Sequence, residues 1–157
     1  MSRILILGGR GCVGRRVAAA CRKLPEAEVT IAGREARPGG ETSSAGDGCI
    51  AVDLRDSANL KALAGYDFVV NCTDASALPP DRAAAYCLHS GATFVELSAH
   101  ADVMQRLWNE LGDDPDPTGR VILGGGLLPG LSNVLAADLV RRTPAAFERL
   151  EIGVWLL

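Results

Sequence analysis

Gly8, Gly9, Gly11 and Gly14 follow the apolar run Ile4-Leu5-Ile6-Leu7 directly, with the spacing of a phosphate-binding loop. Gly9, Gly11 and Gly14 satisfy G-x-G-x-x-G, and Gly8, Gly11 and Gly14 satisfy the G-x-x-G-x-x-G of extended nucleotide-binding folds. One glycine lets the chain turn tightly off a strand, one lets backbone amides reach a pyrophosphate with no Cβ in the way, and one lets the next helix pack closely. That helix would turn its free N–H groups and positive dipole end to the phosphates. The segment Gly8-Gly9-Arg10-Gly11-Cys12-Val13-Gly14 is therefore a candidate dinucleotide site. Its context fits, since Val13, Val17, Ala20, Cys21 and Leu24 fall on one face of a helix.

About twenty residues on, at the end of a second β-rich run, an NAD site places Asp or Glu to accept hydrogen bonds from the ribose hydroxyls. Here that position holds Arg34. A guanidinium cannot accept those bonds, but it can pair with a 2′-phosphate through a charge-assisted fork. Arg10 and Arg37 are near enough in sequence to join it, which points to NADP(H) in preference to NAD. The alternative is that Glu35 takes the acceptor role and Arg34 is a solvated strand-end cation. Because ligands in such folds lie at the carboxyl ends of strands, Asp53-Leu54 is expected near the adenine. By the same rule Cys72-Thr73-Asp74 is expected along the nicotinamide half, with Ser98 next. Asp74 reads equally well as a turn or helix cap.

Other chemistries are excluded. Tyr86 is followed by Cys87-Leu88-His89-Ser90 and the only lysines are Lys23 and Lys61, so there is no Tyr-x-x-x-Lys. Gly14-Arg15-Arg16 lacks the Gly-Lys-Ser/Thr of a P-loop. His89 and His100 have no metal-ligand spacing. His89 reads as a cation at a helix end, and His100, two residues after Ser98, is the better placed to touch a ligand.

The elements that must hold these residues alternate between strand and helix. Strands are predicted over 3–7, 28–32, 49–53, 68–72, 93–97 and 120–123, and helices over 12–24, 57–63, 80–90, 101–111 and 132–142. Pro79-Pro80 opens one helix, Gly91 and Gly112 follow two ends, and Ser132 reads as an N-cap. Right-handed crossovers then give an α/β fold: a Rossmann-type, doubly wound parallel sheet in three layers, α/β/α, ordered 3-2-1-4-5-6. A glycine- and serine-rich stretch, 34–48, replaces the usual second helix with a loop. The apolar end Leu150 to Leu157 suggests a cofactor domain from a longer, two-domain enzyme, the alternative being a seventh strand.

Composition bounds the partners. With 157 residues and 48 % hydrophobic content, the chain suffices for one domain with a core. The net charge of −3 argues against nucleic acid. Residues 1–40 nevertheless carry eight basic groups against three acidic, where the remainder carries eight against sixteen, so the basic part holds the phosphate loop. Five cysteines without a C-x-x-C pair suggest buried thiols in a reducing cytoplasm. No apolar run approaches a membrane span and the N-terminus enters a strand at once, so neither a membrane nor a signal peptide is expected. A small-molecule substrate is the expected partner, and a homodimer is left open.

The glycine loop, Asp67-Phe68-Val69-Val70-Asn71-Cys72, Phe94-Val95-Glu96-Leu97-Ser98 and above all Gly124-Gly125-Gly126-Leu127-Leu128-Pro129-Gly130-Leu131-Ser132-Asn133 together resemble the N-terminal NADP-binding domain of saccharopine dehydrogenase-like proteins. The resemblance implies a pyridine-nucleotide oxidoreductase acting on an amino-acid-like, carbonyl or imine substrate. It also implies a second domain that supplies most substrate and catalytic groups. The other reading is a non-catalytic nucleotide-sensing module, in which the bound cofactor shifts a conformational equilibrium.

Overall fold

The computed structural model describes residues 1–35, 48–76, 78–143, 149 and 151. Strand β1 (Ser2–Leu7) buries Ile4, Leu5, Ile6 and Leu7 together. Successive side chains of a strand point to opposite faces, so a run with no polar alternation must be covered on both sides. Accordingly β1 is central. It pairs in parallel with β2 (Ala27–Gly33) on one side and β4 (Phe68–Asn71) on the other. Beyond them lie β3 (Gly48–Ala51), β5 (Thr93–Glu96) and β6 (Arg120–Ile122), so the parallel sheet runs β3-β2-β1-β4-β5-β6, as expected. Leu7, Ala32, Asn71 and Glu96 stand in register at its carboxyl edge.

Each face of the sheet has its own core. Leu5, Leu7, Val69 and Phe94 pack with Ala84 and Cys87 of α2 (Asp81–Ser90), Val103 and Leu107 of α3 (Ala101–Leu111), and the segment Ser57–Leu63. Ile4, Ile6, Val29, Ile31 and Val70 pack with Ala18 of α1 (Cys12–Cys21) on the other face. Burying each large aliphatic side chain contributes about 1.5–3 kcal/mol, which makes these two layers the main source of stability. The last helix among the described residues, α4 (Leu131–Arg142), has no buried residue.

Several local expectations are corrected. Ser57–Leu63 is a 3-10 helix, opened by the Asp56 carboxylate accepting from the Ala58 N–H. Helix α1 stops at Cys21, three residues early, because Lys23 and Leu24 bond back to the carbonyls of Ala20 and Cys21 in tight three-residue steps before Pro25. Ser132 is not an N-cap. Gly130 holds that position with φ 133°, where a Cβ would overlap the Gly126 carbonyl, and the Ser132 hydroxyl donates sideways to Asn133 Oδ1. The strands end at Ala51, Asn71 and Glu96, short of the predicted Asp53, Cys72 and Leu97, although the Cys72 N–H still donates to the Leu7 carbonyl at 3.0 Å. Gly91 ends α2 in the left-handed region, as its position implied. Arg37, most of the 34–48 stretch and most of the apolar end from Leu150 fall outside the described residues.

Candidate functional site

In this strand order the chain leaves β1 towards β2 on one side and reaches β4 on the other, so the loops after β1 and β4 part and open a crevice at the carboxyl edge. A cavity of about 920 Å³ occupies it. Of the residues predicted from the sequence, Gly8, Arg10, Gly11, Arg34, Asp53, Leu54, Thr73 and Asp74 line this cavity. Gly9, Cys12, Val13, Gly14, Cys72 and Ser98 do not.

The glycines divide the work of the loop. Gly8 has φ 70°, and a Cβ there would press on the Cys72 carbonyl at 3.0 Å. Gly9 packs against Ile31 of β2. A Cβ on Gly14 would overlap the Gly8 carbonyl oxygen, so only glycine lets α1 start this close to the loop. Gly11 supplies no side-chain cap, so the first amides of α1, those of Cys12, Val13 and Gly14, are left for a ligand or water. Cys12 and Val13 themselves are exposed.

Three arginines gather at the β2–β3 end of the cavity. Arg10 reaches across from the loop, donating to the Glu35 carbonyl oxygen at 3.1 Å and to Cys49 Sγ at 3.2 Å. Arg55, which sequence reasoning missed, grips Asp53 through Nε at 2.9 Å and Nη2 at 2.5 Å. This grip, aided by the Arg55 backbone N–H and outweighing the cost of burial, lowers the Asp53 carboxyl to about 2, with the charge of Arg34 adding to the effect. The opposite charges two residues apart were the available signal. Arg34 makes no hydrogen bond or ion pair among the described residues. The residue lines the cavity, and its guanidinium donors are uncommitted to any of them.

The β4 side is different in character. The Asp74 carboxylate accepts from Ser76 N–H at 3.0 Å and Ser76 Oγ at 2.6 Å, which makes it the turn cap that was one of its two readings. His100, at the start of α3, stands 3.8 Å from Asp74. His89 lies elsewhere, bridging the Ala85 carbonyl and Asp114 at 2.8 Å each. Burial pushes the Cys72 thiol up to about 12, helped by Cys21 and Glu96. Beneath Thr73 sit Asn71 and Glu96, both fully buried and both unread as site residues from the sequence. Their signal was a polar residue closing the strands FVVN and TFVE directly after the apolar pairs Val69-Val70 and Phe94-Val95. Ser98 donates its N–H to Glu96 at 2.7 Å, while its buried hydroxyl has no partner among the described residues. Among the described residues no three His, Cys, Asp or Glu side chains come together as a metal site needs, and no helix is long and apolar enough to cross a membrane.

Comparison with known proteins matches residues 4–114 to the family described as the saccharopine dehydrogenase NADP binding domain. Apo saccharopine dehydrogenase (L-Glu forming) from Saccharomyces cerevisiae has a similar structure, with TM-score 0.69 and 22 % identity, over 90 % of this chain and 31 % of that one. The present chain thus spans about a third of that protein's length. A glucuronic acid dehydrogenase from Chromohalobacter salexigens is similar at TM-score 0.51 and 18 % identity, over 63 % of this chain and 41 % of its own. The epimerase Mth375 from Methanothermobacter thermautotrophicus gives TM-score 0.50 and 18 % identity, over 62 % and 35 %. At these identities the likeness is one of fold. No curated protein sequence matches the chain.

Proposed function

Because the chain belongs to the saccharopine dehydrogenase NADP-binding domain family, we propose that its crevice holds NADP(H) for an oxidoreductase reaction on an amino-acid-like, carbonyl or imine substrate. The observation that carries this reading is Arg34, which lines the cavity just past the end of β2, where NAD sites use a carboxylate, and whose charge acts on Asp53 across it. The loop fits the group as well, since Gly8 at φ 70° and the close approach of α1 at Gly14 both require glycine and bring the start of α1 up to the loop.

In this reading the amides at the start of α1 receive the pyrophosphate, with the helix dipole favouring its charge. Arg34 pairs with the 2′-phosphate, assisted by Arg10 and by Arg37, which lies outside the described residues. Asp53 and Leu54 border the adenine, and Thr73 and Asp74 border the nicotinamide half. Bound there, the nicotinamide ring supplies hydride transfer. The acid–base group and most substrate contacts belong to a second domain, in keeping with the much longer yeast relative. The reducing cytoplasm is the proposed location, consistent with five cysteines that are all free thiols.

A thermal-shift titration with NADPH, NADH and ATP tests the reading. A ligand that binds only the folded state raises the melting temperature in proportion to RT ln(1 + [L]/Kd). NADPH should stabilise the chain most, and no shift with any of the three would remove the proposal.

A further inference from the structure

Glu96 ends β5 with its side chain fully buried, and both carboxylate oxygens are used. Ser98 N–H donates to Oε1 and Asn71 Nδ2 donates to Oε2, each at 2.7 Å. A carboxylate with these two donors only accepts, so Asn71 must turn its amide nitrogen to Glu96 and its carbonyl oxygen away. That oxygen meets Thr73, accepting the Thr73 N–H at 3.2 Å and the Thr73 hydroxyl at 2.7 Å. Both hydrogens Thr73 could offer are thereby committed inward. What remains is the hydroxyl oxygen's acceptor capacity, on a residue that lines the cavity.

The choice of acceptor is thus set two residues away from the ligand. Glu96 orients Asn71, and Asn71 orients Thr73. The neighbouring Asp74 is another acceptor. This side of the cavity therefore suits a hydrogen-bond donor and opposes a phosphate, in contrast to the arginines and free amides of the other side.

Resting on the NADP(H) reading above, we propose that Thr73 Oγ1 accepts a hydrogen bond from the nicotinamide-riboside half of the cofactor, and that Asn71 and Glu96 are positioning residues that fix this polarity. The donor is a ribose hydroxyl or the carboxamide NH₂, the two kinds of donor in that half.

The test uses the full chain and three probes: NADPH, its fragment 2′-phospho-ADP-ribose, which keeps the ribose but has no carboxamide, and adenosine 2′,5′-bisphosphate, which has neither. Thr73→Val keeps the shape and removes the oxygen. It should weaken NADPH about tenfold, the size of one lost hydrogen bond, and leave adenosine 2′,5′-bisphosphate within about twofold. Loss shared by 2′-phospho-ADP-ribose assigns the ribose hydroxyl, and loss confined to NADPH assigns the carboxamide. Thr73→Ser should bind as the parent does. Glu96→Gln should mimic Thr73→Val, because the glutamine amide offers one acceptor oxygen to two donors and so releases Asn71. Adding Asn71→Asp to Glu96→Gln should recover binding: the introduced amide then donates to the introduced carboxylate and still accepts from Ser98, while that carboxylate still accepts from Thr73. The inference is overturned if Thr73→Val is silent, if it weakens all three probes alike, or if the double variant recovers nothing. A parent chain that binds none of the probes removes the NADP(H) reading itself.

Discussion

Asn71 and Glu96 face each other across β4 and β5, Nδ2 to Oε2 at 2.7 Å, with neither side chain accessible to solvent. They are directly in register at the carboxyl edge, so the sheet itself brings together two polar groups that would each be costly to bury alone. Glu96→Ala strands two donors, the Asn71 amide and the Ser98 N–H. At about 1–3 kcal/mol for each unsatisfied buried group, unfolding free energy should fall by about 2–6 kcal/mol. Urea denaturation measures this, and an unchanged midpoint would contradict the burial argument.

Gly14→Ala places a methyl group on the Gly8 carbonyl and within 2.7 Å of Gly9 Cα. Helix α1 must then back away from the loop, carrying its free amides with it. We expect a loss of about 1–3 kcal/mol in stability. NADPH binding should weaken about tenfold or more, which corresponds to at least roughly 1.4 kcal/mol. Calorimetry and ligand titration of the same variant report the two effects separately.

Arg34→Asp should reverse the nucleotide preference. A charge-assisted hydrogen bond contributes about 1.5–3 kcal/mol, so NADPH should weaken by roughly 10- to 100-fold while NADH holds or gains. Isothermal titration with both nucleotides gives the ratio. An unaltered ratio would move the 2′-phosphate elsewhere.

The cysteines should separate by reactivity. Burial raises both Cys72 and Cys87 to about 12, so neither offers much thiolate near neutrality, whereas Cys12 is exposed at the first position of α1. At about pH 8 iodoacetamide should label Cys12 in the native chain, and Cys72 and Cys87 only after unfolding. NADPH should slow the labelling of Cys12, since the nucleotide phosphates would lie at the same helix end. Peptide mass spectrometry resolves the sites.

The Asp53–Arg55 pair makes a statement about acid. Its folded-state carboxyl lies at about 2 against an ordinary 3.8. A lowered carboxyl stabilises the fold above its unfolded value and loses that contribution as pH falls through the folded one. The contribution of Asp53 is therefore complete above 3.8 and disappears towards 2. Carbon NMR of the Asp53 carboxyl in the folded chain should show it titrating at about 2, and Arg55→Ala should return it towards the ordinary value. A parent chain titrating at 3.8 would mean the ion pair does not form in solution.

The amino-acid order alone determined the architecture and one wall of the site. The all-apolar Ile4–Leu7 run marked a strand covered on both faces, and the strand–helix alternation with right-handed crossovers led to the observed sheet order. Gly8, Gly11 and Arg34, which line the cavity, could be placed there from the sequence because a turn, a helix start and a strand end are set by residues close in sequence. Gly130, and not Ser132, at the start of α4 shows where local rules stop: a cap preference yields when the backbone must pass hard against Gly126. The opposite wall belonged to the tertiary structure. Asn71 and Glu96 are 25 residues apart, and nothing local to either names the other as partner. Only the β4–β5 register, enforced by the apolar residues packed on both faces, sets the amide against the carboxylate and so decides which way Thr73 points its hydrogen bond.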